Sequence, residues 1–190
     1  MTTALVGLSA SNAEAYCRSG MTKWVSPGTA KTIGANTTFP SSLRAGLNSG
    51  LKQWNRSSSA LRYNSPVYTS GWQIYAFRAS YGYTSLMGNA PGYAAAQRSG
   101  STHKGGTLYL SNRFRWVNGS QNISQGKADV QTVAVHEVGH FTGLAHPWPP
   151  HCSDGSSYTN AEKKSVMTAV NTGTRRALNS DDIAGVRAIY

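Results

Sequence analysis

His136-Glu137-Val138-Gly139-His140-Phe141-Thr142-Gly143-Leu144-Ala145-His146 is the stretch that decides the reading of this chain. It fits the pattern H-E-x-x-H-x-x-G-x-x-H. A separation of four residues puts His136 and His140 on one helical face, one turn apart, so both imidazoles can reach a single metal ion. Gly143 can take a positive φ, end the helix and swing the chain back. That brings His146 round as the third ligand. Three neutral nitrogens leave a fourth position for water, as in catalytic zinc sites; structural sites are closed by four ligands, with cysteine prominent. Glu137 points to a different azimuth from His136. It is placed to take a proton from that water as general base and to pass it to a leaving amine. The expected cofactor is one catalytic Zn2+, and the expected reaction is peptide-bond hydrolysis.

Around this segment the pattern is helical from about Lys127 to Thr142, with Val130, Val133, Ala134 and Phe141 on one side. Pro147, Pro149 and Pro150 forbid regular structure beyond it. Further upstream, Pro40-Ser41-Ser42 announces a helix. Leu43, Leu47, Leu51 and Trp54 give it one apolar stripe, and Gly46 and Gly50 predict close packing on a sheet. Residues 22–33 suggest a strand interrupted by a turn. Leu61–Tyr63, Gln73–Arg78 and Thr107–Leu110 read as strands. Residues 80–105 are rich in Gly, Tyr, Ser and Ala, which predicts long loops with a short strand near Tyr93–Gln97. Asn118–Gln125 reads as a surface loop. A last helix is expected with Ser180 as N-cap, Asp181 and Asp182 in its first turn, and Ile183, Val186 and Ile189 buried. No internal repeat and no linker divides the chain. Residues 16–190 are expected to form one catalytic domain.

Composition bounds the partners. The chain carries 18 Lys plus Arg against 7 Asp plus Glu, a formal net charge of +11. A surface this basic favours anionic polymers such as cell-wall material. No nucleic-acid-binding motif accompanies the charge, so no specific nucleic acid is expected. A second reading is therefore a low-activity scaffold that binds an anionic polymer; the intact Glu137 argues against it. Calcium is only weakly supported, because the few carboxylates do not cluster, although backbone carbonyls could build a weak site. No stretch is long and apolar enough to span a membrane. Residues 1–15 end in Ala13-Glu14-Ala15, a signal-peptidase pattern without a basic start; they read as a truncated signal peptide or a disordered tail. Secretion is the expectation. Cys17 and Cys152 are the only cysteines, and outside the cell an even count suggests a disulfide. The rival reading places the Cys17 thiolate on the metal.

The eleven-residue motif is the metzincin signature, and other segments resemble the matrixins within that clan. Ser165-Val166-Met167-Thr168 resembles the Met-turn. Leu178-Asn179-Ser180-Asp181-Asp182-Ile183 and the residues to Tyr190 are similar to the matrixin C-terminal helix. Leu51-Lys52-Gln53-Trp54 falls where matrixins carry A-F-x-x-W. The resemblance covers most of residues 20–190 and is strongest from residue 130 onward. It implies a secreted, bacterial-type, matrixin-like peptidase, acting as a monomer on protein or peptide substrates. The implied fold is α+β: a twisted mixed, mainly parallel sheet with two long helices in an upper lobe, and a small irregular lower lobe with a C-terminal helix. By the same resemblance Met167 supports the zinc site without coordinating it, and substrate adds as a strand along Gly92–Gln97. Two departures matter. The edge segment Gly92–Gln97 lacks the histidine of the matrixin structural zinc site, so no structural zinc is expected. Ala169-Val170-Asn171 replaces the P-x-Y that shapes the matrixin specificity pocket.

Overall fold

A computed structural model describes residues 23–24, 26–70, 75–148 and 159–190. The N-terminal segment 1–15, Cys17, Cys152, and Gln73 and Ile74 of the expected strand Gln73–Arg78 lie outside the described residues. In chain order the regular elements are β1 (Lys23–Trp24), β2 (Ile33–Ala35), α1 (Ser41–Trp54), β3 (Val67–Tyr68), β4 (Phe77–Tyr81), β5 (Gly92–Ser99), β6 (Thr102–Leu110), β7 (Arg115–Val117), β8 (Gln121–Asn122), β9 (Lys127–Asp129), α2 (Val130–Phe141), α3 (Asn160–Lys164), β10 (Thr172–Gly173) and α4 (Ser180–Ile189). No helix among the described residues is long and apolar enough to cross a membrane.

The main sheet has six strands. β6 pairs in parallel with β1 and β4, β4 with β2, and β2 with β3. β5 runs antiparallel along β6 and has no second partner among the described residues. A smaller four-stranded sheet, in the order β10-β8-β9-β7, joins the segment before α2 to the chain that follows the metal-site loop.

One face of the main sheet is covered by α1 and α2. The α1 stripe of Leu43, Leu47, Leu51 and Trp54 is buried as its spacing predicts. Each such side chain contributes roughly 1.5–3 kcal/mol relative to an exposed one. The partner of the small residues differs from the expectation. Gly46 and Gly50 face α2, not a sheet. A Cβ on Gly46 would sit 2.1 Å from Val130 Cγ1, and one on Gly50 would sit 2.7 Å from Ala134 Cβ. The two helices therefore approach more closely than side-chain-bearing residues permit, and Trp54 Nε1 reaches across to donate to Val135 O at 3.0 Å. Phe77 of β4 and Phe141 of α2 stack at 4.1 Å and lock the helix under the sheet.

Further expectations are corrected. Residues 92–110 form one long hairpin where two short strands, near Tyr93–Gln97 and at Thr107–Leu110, are expected with loop between them. Its Gly and Ala content reads as loop, yet the small residues are a packing requirement: a Cβ on Gly106 would lie 2.3 Å from Ala95 O and 2.9 Å from the Phe141 ring. Lys127–Asp129 is strand rather than helix. Asp129 then caps α2, its side chain accepting from Thr132 N at 2.9 Å. Gln121, in the expected surface loop, is buried and belongs to β8. At the C-terminus Asn179, not Ser180, is the N-cap of α4, and it forms a reciprocal capping box with Asp182. Of its expected core face, Val186 is fully buried while Ile183 and Ile189 are half-buried.

Candidate metal centre and cleft

The geometry of α2 carries His136 and His140 onto one side, as the four-residue spacing requires. The helix ends at Phe141, and Gly143 adopts φ +96°, turning the chain back towards its own axis. His146 then meets the other two. The three ring centroids stand between 4.8 and 5.1 Å apart. One nitrogen from each ring lies within 4.8 Å of the other two.

The hydrogen bonds fix which nitrogens face inward. His136 Nδ1 lies 2.8 Å from Val166 O, and His140 Nδ1 lies 3.0 Å from Leu144 O. A carbonyl only accepts, so each Nδ1 carries the proton and each Nε2 keeps its lone pair. His136 Nε2 and His146 Nε2 are 3.1 Å apart. Two nitrogens held tetrahedrally on one zinc at about 2.0–2.1 Å stand roughly 3.3 Å apart, so the donor set fits that ion. Burial lowers the pKa of both His136 and His140, and for His140 the neighbouring imidazoles lower it further. The rings are thus held neutral, the state in which imidazole binds a metal. Trp148 lies parallel to the His146 ring at 4.4 Å.

Glu137 is buried on the sheet side of the helix. Burial pushes its carboxyl up to about 8, while a hydrogen bond from the Ala94 amide pulls the other way. A divalent cation beside it favours the carboxylate. Gly92 makes room for this side chain: a Cβ there would lie 2.7 Å from Glu137 Oε1. Met167 sits under the helix. A Cβ on Gly139 would meet Met167 Sδ at 2.2 Å and Trp54 Cζ2 at 2.8 Å. The thioether therefore fills the space beneath the turn that carries the two helical histidines.

The three histidines, Glu137 and Gly92 line a cleft of about 910 Å³ that runs between β5 and the chain around Val166 and Thr168–Asn171. Its far wall is held by residues with no local sequence signal. Gln121 Nε2 donates to Val170 O, and Gln121 Oε1 accepts from Asp129 N. Asp129 also takes hydrogen bonds from Gly119 N and Arg176, which together hold its pKa below the usual carboxylate value against the cost of burial. The cap of α2 is the one part of this set that could have been read in advance, from Asp129-Val130-Gln131-Thr132.

Fold and centre together define an α+β metzincin-type domain with a three-histidine site for catalytic zinc. The chain belongs to the matrixin family, whose M10 peptidase model matches residues 34–190. Among curated proteins it is similar to metalloendoproteinase 4-MMP of Arabidopsis thaliana, with 34% identity over 86 residues, 45% of this chain and 22% of the relative. Metalloendoproteinase 5-MMP of the same plant is 29% identical over 92 residues, again 45% and 22%. The matched region spans about a fifth of the length of these relatives. Among solved structures the fold is similar to myroilysin, with a TM-score of 0.57 at 15% identity over 89% of this chain and 82% of that one.

Proposed function

We propose that this protein is a secreted zinc-dependent endopeptidase in which His136, His140 and His146 hold the ion and Glu137 is the general base. One observation carries the reading: two inward-facing Nε2 lone pairs, a third imidazole and a buried carboxylate converge in one cleft beside a sheet edge. Zinc bound there supplies Lewis acidity, polarising the scissile carbonyl and lowering the pKa of water. The rest is done by the chain. Glu137, held by the Ala94 amide, is positioned to take a proton and return it to the leaving nitrogen. The outer edge of β5 pairs with an extended substrate, and Gly92 and Ala96 line the cleft along that path. Met167 supports the histidines from below.

The test is zinc content together with cleavage of casein or a quenched peptide library. Glu137→Ala is expected to retain one zinc per chain and to lose about 10²–10⁴-fold in kcat/KM. Cleavage at the wild-type rate in that variant would remove Glu137 from the role of base. Well-folded wild type that takes up no zinc would remove the metal centre itself. Secretion is checked separately, by locating the protein after expression from its natural gene start.

A further inference from the structure

The turn that supports His136 is pinned from two sides. On one side α4 holds it: Val166 N donates to Asp182 Oδ2 at 3.1 Å, and Ser165 Oγ, which accepts from Met167 N at 2.9 Å within the turn, donates to Asp182 Oδ1. Its carbonyls face Arg175. Arg175 Nη1 donates to Ser165 O at 2.7 Å and to Thr168 O at 3.3 Å, one on each side of Val166 and Met167. The backbone of the same residue is fastened to α2, where Arg175 N donates to Thr132 Oγ1 at 3.1 Å. Thr132 in turn bonds the helix cap Asp129. A single residue thus joins the first turn of α2 to both ends of the segment whose middle carbonyl, Val166 O, receives His136 Nδ1.

We propose that Arg175 is a positioning residue of the metal centre, fixing Val166 O and so the orientation of the His136 ring. Arg176, next in the chain, points elsewhere, to Asp129 and Asn118, and touches neither the turn nor a histidine partner. The assignment has a discriminating consequence. The Arg175 guanidinium is a positive charge fastened to the turn that supports His136. A positive charge near a cation site opposes metal binding. Removing it would strengthen zinc binding if charge were all that mattered. Removing the clamp would weaken it. The two effects have opposite signs, so the sign of the change identifies the role.

The inference rests on the zinc-site reading above. The experiment is chelator competition for zinc with the full chain, alongside the visible absorption of the cobalt(II)-loaded protein. Wild type is compared with Arg175→Gln, Arg175→Lys and Arg176→Gln, each checked for folding by circular dichroism. Arg175→Gln is expected to weaken zinc binding about tenfold, the scale of losing a ligand's supporting partner, and to alter the cobalt spectrum. Arg175→Lys, which keeps the charge and a donor, is expected to fall between it and wild type. Arg176→Gln is expected to lower the melting temperature and leave the zinc affinity of the folded protein unchanged. Equal or tighter zinc binding with an unaltered cobalt spectrum in the Arg175 variants would overturn the proposal. So would an equal loss in Arg176→Gln, which would trace the effect to general loosening. Should Arg175→Gln not fold, Arg175→Lys decides alone by the same criteria. Absence of zinc uptake by wild type would overturn the metal centre and this inference together.

Discussion

The described histidines are used in two opposite ways. His103 sits on β6 in the upper core, 2% exposed, with its ring 5.1 Å from that of Trp24 and 6.3 Å from that of Phe141. His136, His140 and His146 gather at the cleft on the other side of α2. Burial disfavours the imidazolium in both places. What separates them is the direction of the nitrogens. In the cluster, Val166 O and Leu144 O take the Nδ1 protons of His136 and His140 and turn their Nε2 lone pairs inward. In the core, aromatic rings surround a single imidazole. Neutrality alone therefore marks no site; neutrality with convergent lone pairs does.

The largest expected effect breaks this symmetry outright. His140→Ala should lose zinc by more than the 10–100-fold that a ligand's hydrogen-bond partner is worth, and cleavage should fall with it. His103→Phe should keep both zinc and cleavage, since a ring of similar size replaces a ring among rings, at a cost under about 1.5 kcal/mol in stability. Metal analysis and peptide cleavage on the two variants check this directly. Loss of zinc in His103→Phe would show that the core histidine supports the centre through Phe141, and the comparison would fail.

The same contrast explains what could be read from sequence. The ligand set lies within eleven residues, and the helical period places two of its members with no tertiary information. The α1 stripe is legible for the same reason. The β5–β6 hairpin is not, because Ala94–Ala96, Gly105 and Gly106 carry little strand propensity. Gly106 is required by the closeness of the Phe141 ring and Gly105 by that of Ala76 O, both far along the chain. Gln121 and Arg175 are equally silent. Their partners stand 49 residues away at Val170 and 43 residues away at Thr132. Local chemistry announces the ligands; the frame that aims them is distributed.

A smaller effect sharpens the comparison by pH. Burial, reinforced by the nearby Arg98 charge, lowers the pKa of His103 from 6.5 to about 4. The unfolded chain therefore takes up a proton as pH falls through 6.5, while the folded chain resists until about 4. Stability from this group is complete above pH 6.5, declines between 6.5 and 4, and is level below, with up to about 3 kcal/mol lost. Denaturant unfolding of wild type and His103→Phe at several pH values isolates the term, because all other titrating groups are shared. The difference in stability should shift in favour of the variant as pH falls across this window. A difference independent of pH would mean that His103 titrates normally in the folded protein.

The smallest effect concerns the ligand that no helix holds. His146 follows the turn at Gly143, outside α2, and its ring lies against Trp148 at an interplanar angle of 7°. Stacking restricts rotation of the imidazole about its own axis, the motion that would carry Nε2 away from the other two nitrogens. Trp148→Leu removes the flat surface and keeps an apolar side chain; Trp148→Phe keeps a flat surface. Zinc affinity by chelator competition should fall about tenfold in the leucine variant and remain near wild type in the phenylalanine variant. Equal affinities in all three proteins would mean that the backbone after Gly143 alone fixes His146. The third ligand would then be held, like the first two, by main-chain geometry, and the stack would be packing of the kind seen around His103.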